Sequence, residues 1–119
     1  MGAYEPTYLY ATTITGTASA AIVGGQVLAV SGNGTVGPAG AASNAVIGVA
    51  ANDAANGDLV PYFPRGKVHV GTAAGAITAG DRVNSAAAGA IATGVAALTN
   101  IGVALTTAAD TAACSWMEI

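Results

Sequence analysis

The residues with the strongest claim to chemistry are Gly32-Asn33-Gly34-Thr35-Val36-Gly37, a literal G-x-G-x-x-G that follows the strand-like run Gln26–Val30. Asp53 stands about 20 residues further on, where a dinucleotide-binding unit carries the acid that holds its ribose. In such a site the third glycine opens a helix whose N-terminus faces the pyrophosphate. Here Gly37-Pro38-Ala39-Gly40 leads instead into a second strand-like run at Ala45, so the hexapeptide reads as a glycine-rich hairpin and no nucleotide cofactor is expected. Gly66-Lys67 also fails as a phosphate loop, because Pro61 occupies the place of its first glycine and Val68 that of its Ser or Thr.

The remaining polar groups are equally poor in reactive arrangements. Asp53, Asn56 and Asp58 share one loop but lack the alternating oxygen ligands and terminal Glu of a calcium loop, so they read as a solvated turn built on Asn56-Gly57. His69 is the only histidine and alternates with Val68 and Val70 in a strand-like run. Neither Ser nor Cys occurs in a nucleophile context such as G-x-S-x-G. Cys114 is the only cysteine and is expected as a buried, inert thiol in a C-terminal strand. Asp81 and Arg82 read as an exposed turn pair. The expectation is a non-enzyme without metal or cofactor.

Charge excludes further classes. The net charge is -3, and Arg65, Lys67 and Arg82 are the only basic residues, too few to neutralise a run of phosphates, so nucleic acid is not an expected partner. Although 53% of the residues are hydrophobic, no stretch of about 20 runs without Gly, Asn, Gln, Ser or Thr clusters, so a membrane span is not expected either. The start MGAYEPTYLY lacks the basic region of a signal peptide, and Pro6 sits where N-myristoylation wants Ser or Thr; synthesis and retention in a cytosol are expected.

The few aromatics cluster. Tyr4, Tyr8 and Tyr10 share one parity and therefore one side of an extended segment, which Pro6 helps keep extended. Tyr62-Phe63 lies between Pro61 and Pro64, beside Arg65 and Lys67. Tyrosines on a peripheral arm are typical interface anchors. Tyr4, Tyr8, Tyr10, Tyr62, Phe63 and Arg65 are therefore the candidate partner-binding residues, with the competing expectation that Tyr62 and Trp116 plug the two ends of the core.

The elements that must position these residues repeat. GTASAAIVGGQVL, Gly16 to Leu28, returns as GTAAGAITAGDRV, Gly71 to Val83, and Ile47-Gly48-Val49-Ala50 returns as Ile101-Gly102-Val103-Ala104. Two copies of one supersecondary unit are expected, residues 8–62 and 63–119, behind an N-terminal arm of residues 1–12, all in one domain. No catalytic residue type recurs, so the repeat is scaffold. Charged residues make up 8% of the chain and are absent between Glu5 and Asp53, which leaves no polar face for a soluble helix. Alternation in Ala45–Ala50, Lys67–Val70 and Asn100–Leu105, with turns at Gly24-Gly25, Gly32-Asn33-Gly34, Asn56-Gly57-Asp58 and Ala79-Gly80-Asp81, predicts an all-β fold, a small β-barrel or β-sandwich. Ala86–Leu98 is read as mostly β with a short turn of helix, since Gly89 and Gly94 each cost a helix interior about 1 kcal/mol.

AVIGVAANDAANGDLVPYFPRGKVHV, followed by GAITAGDRVNSAAAGAIAT and NIGVALTTAADT, resembles the small capsid decoration, or cement, proteins of tailed bacteriophages, over about residues 16–119. The resemblance implies a β-rich shell protein, assembled in the host cytoplasm, that docks on the outer surface of the head. Its implied partners are the major capsid protein and other copies of itself, with a trimer favoured. The recombinase label sometimes attached to that family finds no support in a chain without a phosphate loop or basic surface. Two other readings stay open: an adhesive or glycan-binding module of a virion or cell surface, and a small carrier resembling lipoyl-type domains, although Lys67 enters a strand rather than capping a hairpin.

Overall fold

The computed structural model describes residues 12–94 and 97–119, and the fold is all-β. Strands β1 (Ile14–Ala18), β2 (Val27–Gly32), β3 (Thr35–Pro38), β4 (Val46–Ala50) and β5 (Leu59–Phe63) form a closed barrel in the order β1-β3-β2-β4-β5. Strands β6 (Val68–Thr72), β7 (Arg82–Ser85), β8 (Ile91–Thr93), β9 (Asn100–Ala104) and β10 (Ala113–Glu118) form a second sheet, ordered β6-β10-β9-β7-β8. Every pairing is antiparallel except β1 with β3 and a single parallel bridge between Ala73 and Ile91. The Ala-rich stretch divides into a 3-10 turn at Ala87–Gly89, strand β8 and a second 3-10 turn at Ala97–Thr99.

Alternation decides which side each strand buries. Along β10, Cys114, Trp116 and Glu118 point inward while Ala113 and Met117 are exposed; along β5, Val60 and Tyr62 are buried and Leu59 is exposed. The literal G-x-G-x-x-G is the β2–β3 hairpin, with Gly34 at φ 75° in its turn. No helix follows it, so its amides serve a sheet and do not converge at a helix N-terminus. Asp53 has a structural task of its own, because its Oδ1 accepts the Gly24 amide at 2.8 Å; Thr107 Oγ1 accepts the Ala79 amide at 3.0 Å in the second half. Each polar side chain ties a tight turn that precedes β2 or β7 to the loop opposite, satisfying an amide that the sheet leaves unpaired.

Two clusters form the core. Ala18, Ile22, Leu28, Val36, Ala50, Val60 and Tyr62 fill the barrel. The second cluster joins Val27, Ala29, Ala39, Val46 and Val49 of the first half to Ile77, Val83, Ile91, Ile101, Cys114 and Trp116 of the second. Residues on β2 and β4 that do not serve the barrel interior thus pack against the second sheet, and the two halves share apolar burial. Hydrogen bonds lock the same junction: Ser85 Oγ donates to Gly40 O at 2.8 Å, the Gly89 amide to Ala39 O at 2.9 Å, and Gln26 Nε2 to Ala88 O at 2.9 Å.

Candidate functional site

The candidate partner residues separate in space. Tyr4, Tyr8 and Tyr10 lie outside the described residues. Tyr62 is 5% exposed and belongs to the barrel core, paired with Ile14 and Ala50. Phe63, its neighbour of opposite parity, is half-buried, and its ring lies 6.0 Å from that of His69. Arg65 is exposed and donates from Nη1 to Ile119 O at 2.6 Å, tying the link between the halves to the C-terminal strand.

That link encloses a polar cluster that sequence reasoning missed. Glu118 is 2% exposed, and its Oε1 lies 3.6 Å from Nε2 of His69, whose ring is 5.5 Å from that of Trp116. At 3.6 Å the contact is longer than a hydrogen bond. Neither carboxylate oxygen, nor His69 Nε2, nor Trp116 Nε1 has a hydrogen-bond partner within the described residues. Burial therefore raises the Glu118 carboxyl from 4.5 to about 7, against the opposing pull of the Arg65 charge. Burial also lowers His69, with Lys67 adding to the effect by charge repulsion. The only sequence signal for Glu118 was its parity: it shares a face with Cys114 and Trp116. Cys114 is buried, with its sulfur 3.3 Å from Thr106 O. Among the described residues, no three His, Cys, Asp or Glu side chains gather to hold a metal.

The opposite face of the same strands has a different character. Val68 pairs with Met117, Met117 with Val103, and Val103 with Arg82, so these four side chains form one row across β6, β10, β9 and β7. Val70 pairs with Ser115, whose carbonyl accepts the amide of exposed Leu105 at 2.7 Å, giving a second row. Val68 and Val70 are 59% and 61% exposed. Lys67 and Arg82, both exposed, flank this apolar surface. Beside it runs a groove of about 360 Å³, walled by Val23–Gln26 and Ala87–Ala90 and floored by Val70, Gly71 and Thr72. What these surfaces offer is apolar contact and backbone hydrogen bonding, the chemistry of docking.

No curated protein matches the chain. Among solved structures, the head fiber gp8.5 N base of bacteriophage phi29 shares the fold, with a TM-score of 0.72 and 21% identity, covering 90% of this chain and 92% of that one. At that identity the likeness speaks for the architecture alone. The sequence supplies the rest, since residues 9–119, which take in the barrel, the link and the second sheet, match the phage cement proteins. The chain therefore belongs to the phage cement protein family and is a structural protein of the phage virion.

Proposed function

We propose that this protein binds the outer surface of the phage head through the major capsid protein and stabilises the capsid lattice as a symmetric oligomer, a trimer first of all. The observation that carries the reading is the exposed apolar sheet face of Val68, Val70, Met117 and Leu105. A monomer rarely leaves such a patch uncovered, and closed cyclic symmetry buries one without forming fibres. We further propose that the scaffold is one unit used twice, residues 8–62 and 63–119. In support, each half pairs its strands in the same cyclic order, and Tyr62 and Trp116 occupy matching buried places.

Co-sedimentation with assembled heads tests the reading directly. The N-terminal arm is assigned to contact with another chain, a neighbouring copy or the capsid protein, with Tyr4, Tyr8 and Tyr10 as anchors, and Phe63 and Arg65 are further candidate docking residues. Each well-buried tyrosine anchor contributes on the order of 2 kcal/mol, so changing all three to Ala should weaken head binding by several orders of magnitude. The variant should stay folded by circular dichroism. Unchanged head binding together with an unchanged oligomeric state in this triple variant would remove the arm from both contacts, whereas failure of the native protein to sediment with heads would remove the capsid reading itself.

A further inference from the structure

The second sheet is open where the first is closed. In the barrel, β1 and β3 are zipped in parallel through Thr17 with Thr35 and Ala18 with Val36, and the Ser19 amide reaches Val36 O at 2.9 Å. The matching seam between β6 and β8 has one parallel bridge, Ala73 with Ile91, in which the Ile91 amide donates to Thr72 O and the Ala74 amide to Ile91 O, the latter at 2.7 Å. The 3-10 turn at Ala87–Gly89 intervenes, and the Gly89 amide is committed to Ala39 O of the first half. The chain before β8 is thereby held away from β6.

This opening leaves a strand edge with its hydrogen-bonding groups turned outward. β6 and β10 are antiparallel without a register shift, and the flanking bonds from the Glu118 amide to Lys67 O and from the Ala73 amide to Ala112 O, both 2.9 Å, fall on odd residues of the β6 segment. Antiparallel ladders alternate, so odd residues face β10, while the N–H and C=O groups of Val68, Val70 and Thr72 point to the other side. The Thr72 carbonyl is taken by the parallel bridge of Ala73 with Ile91, and among the described residues no pairing outside the β6–β10 ladder reaches Val68 or Val70. On that side lies the groove between Val23–Gln26 and Ala87–Ala90, where a Cβ on Gly25 would stand 3.6 Å from Val70 O. Natural sheets protect such an edge with proline, bulges, charge or a covering loop, and here the Val23–Gln26 turn stands beside Val70 without filling the groove. β6 has no proline and no bulge, and Lys67, just before it, is the only nearby charge on its own segment.

We propose that the open part of the β6 edge, Val68–Val70, takes the N-terminal arm of a second copy of this chain as an added strand; this rests on the reading that the protein self-associates. Three features fit residues 1–11 to the edge. Pro6 disfavours helix, and Tyr4, Tyr8 and Tyr10 share one side of an extended segment, suited to lie over exposed Val68 and Val70. Glu5 is the only charge in the arm, and Lys67 has no ion pair among the described residues, so one acid meets one base at the end of the edge. Eleven extended residues reach about 35 Å, enough to leave Thr12 and cover the Val68–Val70 edge on a neighbour. Passing the arm from each copy to the next makes a head-to-tail contact, the kind that builds a ring when the rotation between copies closes.

The test uses the full chain. A photoactivatable benzophenone maleimide is attached to Val70→Cys, whose site is exposed, while native Cys114 is fully buried. Illumination should yield covalent dimers and higher species whose cross-linked peptide, identified by mass spectrometry, contains residues 1–11. Cross-links to residues 1–11 of the same chain only, or to other segments only, overturn the proposal. Independently, Val70→Lys should weaken self-association at least tenfold in sedimentation velocity with an unchanged circular dichroism spectrum. A native-sized oligomer in that variant overturns the edge assignment while leaving self-association intact. Native protein that is monomeric at all concentrations overturns both, and head co-sedimentation then still decides the capsid reading on its own.

Discussion

Trp116→Ala should destabilise the protein by about 3–5 kcal/mol, a large share of the roughly 5–15 kcal/mol that keeps an ordinary domain folded. Trp116 is fully buried, and it belongs to the cluster that joins the two halves, so the cavity weakens the second sheet and the junction together. The space for its ring is made by glycine. A Cβ on Gly102 would collide with the Met117 carbonyl and the Trp116 ring, and one on Gly71 would come 3.1 Å from Trp116 Nε1. Gly102→Ala should therefore approach the cost of losing the ring, because the obstruction includes backbone. The barrel has the same arrangement, with Gly48 against the Phe63 carbonyl and the Tyr62 ring. Urea unfolding followed by far-ultraviolet circular dichroism measures both variants, Trp116 being the only tryptophan and so unusable as a common probe. A loss below about 1 kcal/mol in Trp116→Ala would show that this ring does not organise the core.

Glu118→Gln should make the protein more stable at pH 8 while changing it little at pH 4. The Glu118 carboxyl is raised from 4.5 unfolded to about 7 folded, so the folded state holds its proton more tightly. Its favourable contribution is fully present below pH 4.5, declines as pH rises, and is gone above about 7, where a buried charge faces no hydrogen-bond partner. That span corresponds to at most ~3 kcal/mol, and Gln removes it by being neutral throughout. His69 works in the opposite direction: its lowered value means the folded state resists protonation, so stability falls as pH drops below 6.5. In the native protein the two slopes partly cancel between pH 4.5 and 6.5, and the variant should expose the histidine limb alone. Thermal unfolding across pH 4–9 reads both effects. Parallel curves for native and variant protein would mean that Glu118 is solvated in solution and that the cluster with His69 and Arg65 does not form as described.

Local chemistry made much of the architecture readable. Period-two alternation placed strands at Ala45–Ala50, Lys67–Val70 and Asn100–Leu105, and they occur as Val46–Ala50, Val68–Thr72 and Asn100–Ala104. Turn glycines were equally legible: Gly25, Gly34, Gly57 and Gly80 all adopt positive φ, a conformation that a side chain would oppose within a few residues of sequence. The scarcity of charge argued against helices, and the family was visible in the order of short motifs. The candidate surface was less legible. Tyr62 was expected both as a core plug, with Trp116, and as a docking candidate, and it is buried as the first; one side of β5 fills the barrel and the other meets His69, so Tyr62 and Phe63 part company there.

What the sequence by itself determined is thus the set of strands, the turns between them and the face each strand prefers to bury, because these follow from residues within a few positions of one another. Only the tertiary structure decided which buried face meets which neighbour. Val27 and Val49 serve the shared junction and not the barrel interior, His69 finds Glu118 across the β6–β10 ladder, and β6 meets β8 through the single bridge of Ala73 with Ile91. Each of these joins segments far apart in the chain, and their relative placement is set by the packing of two sheets against each other, a property that no window of sequence contains.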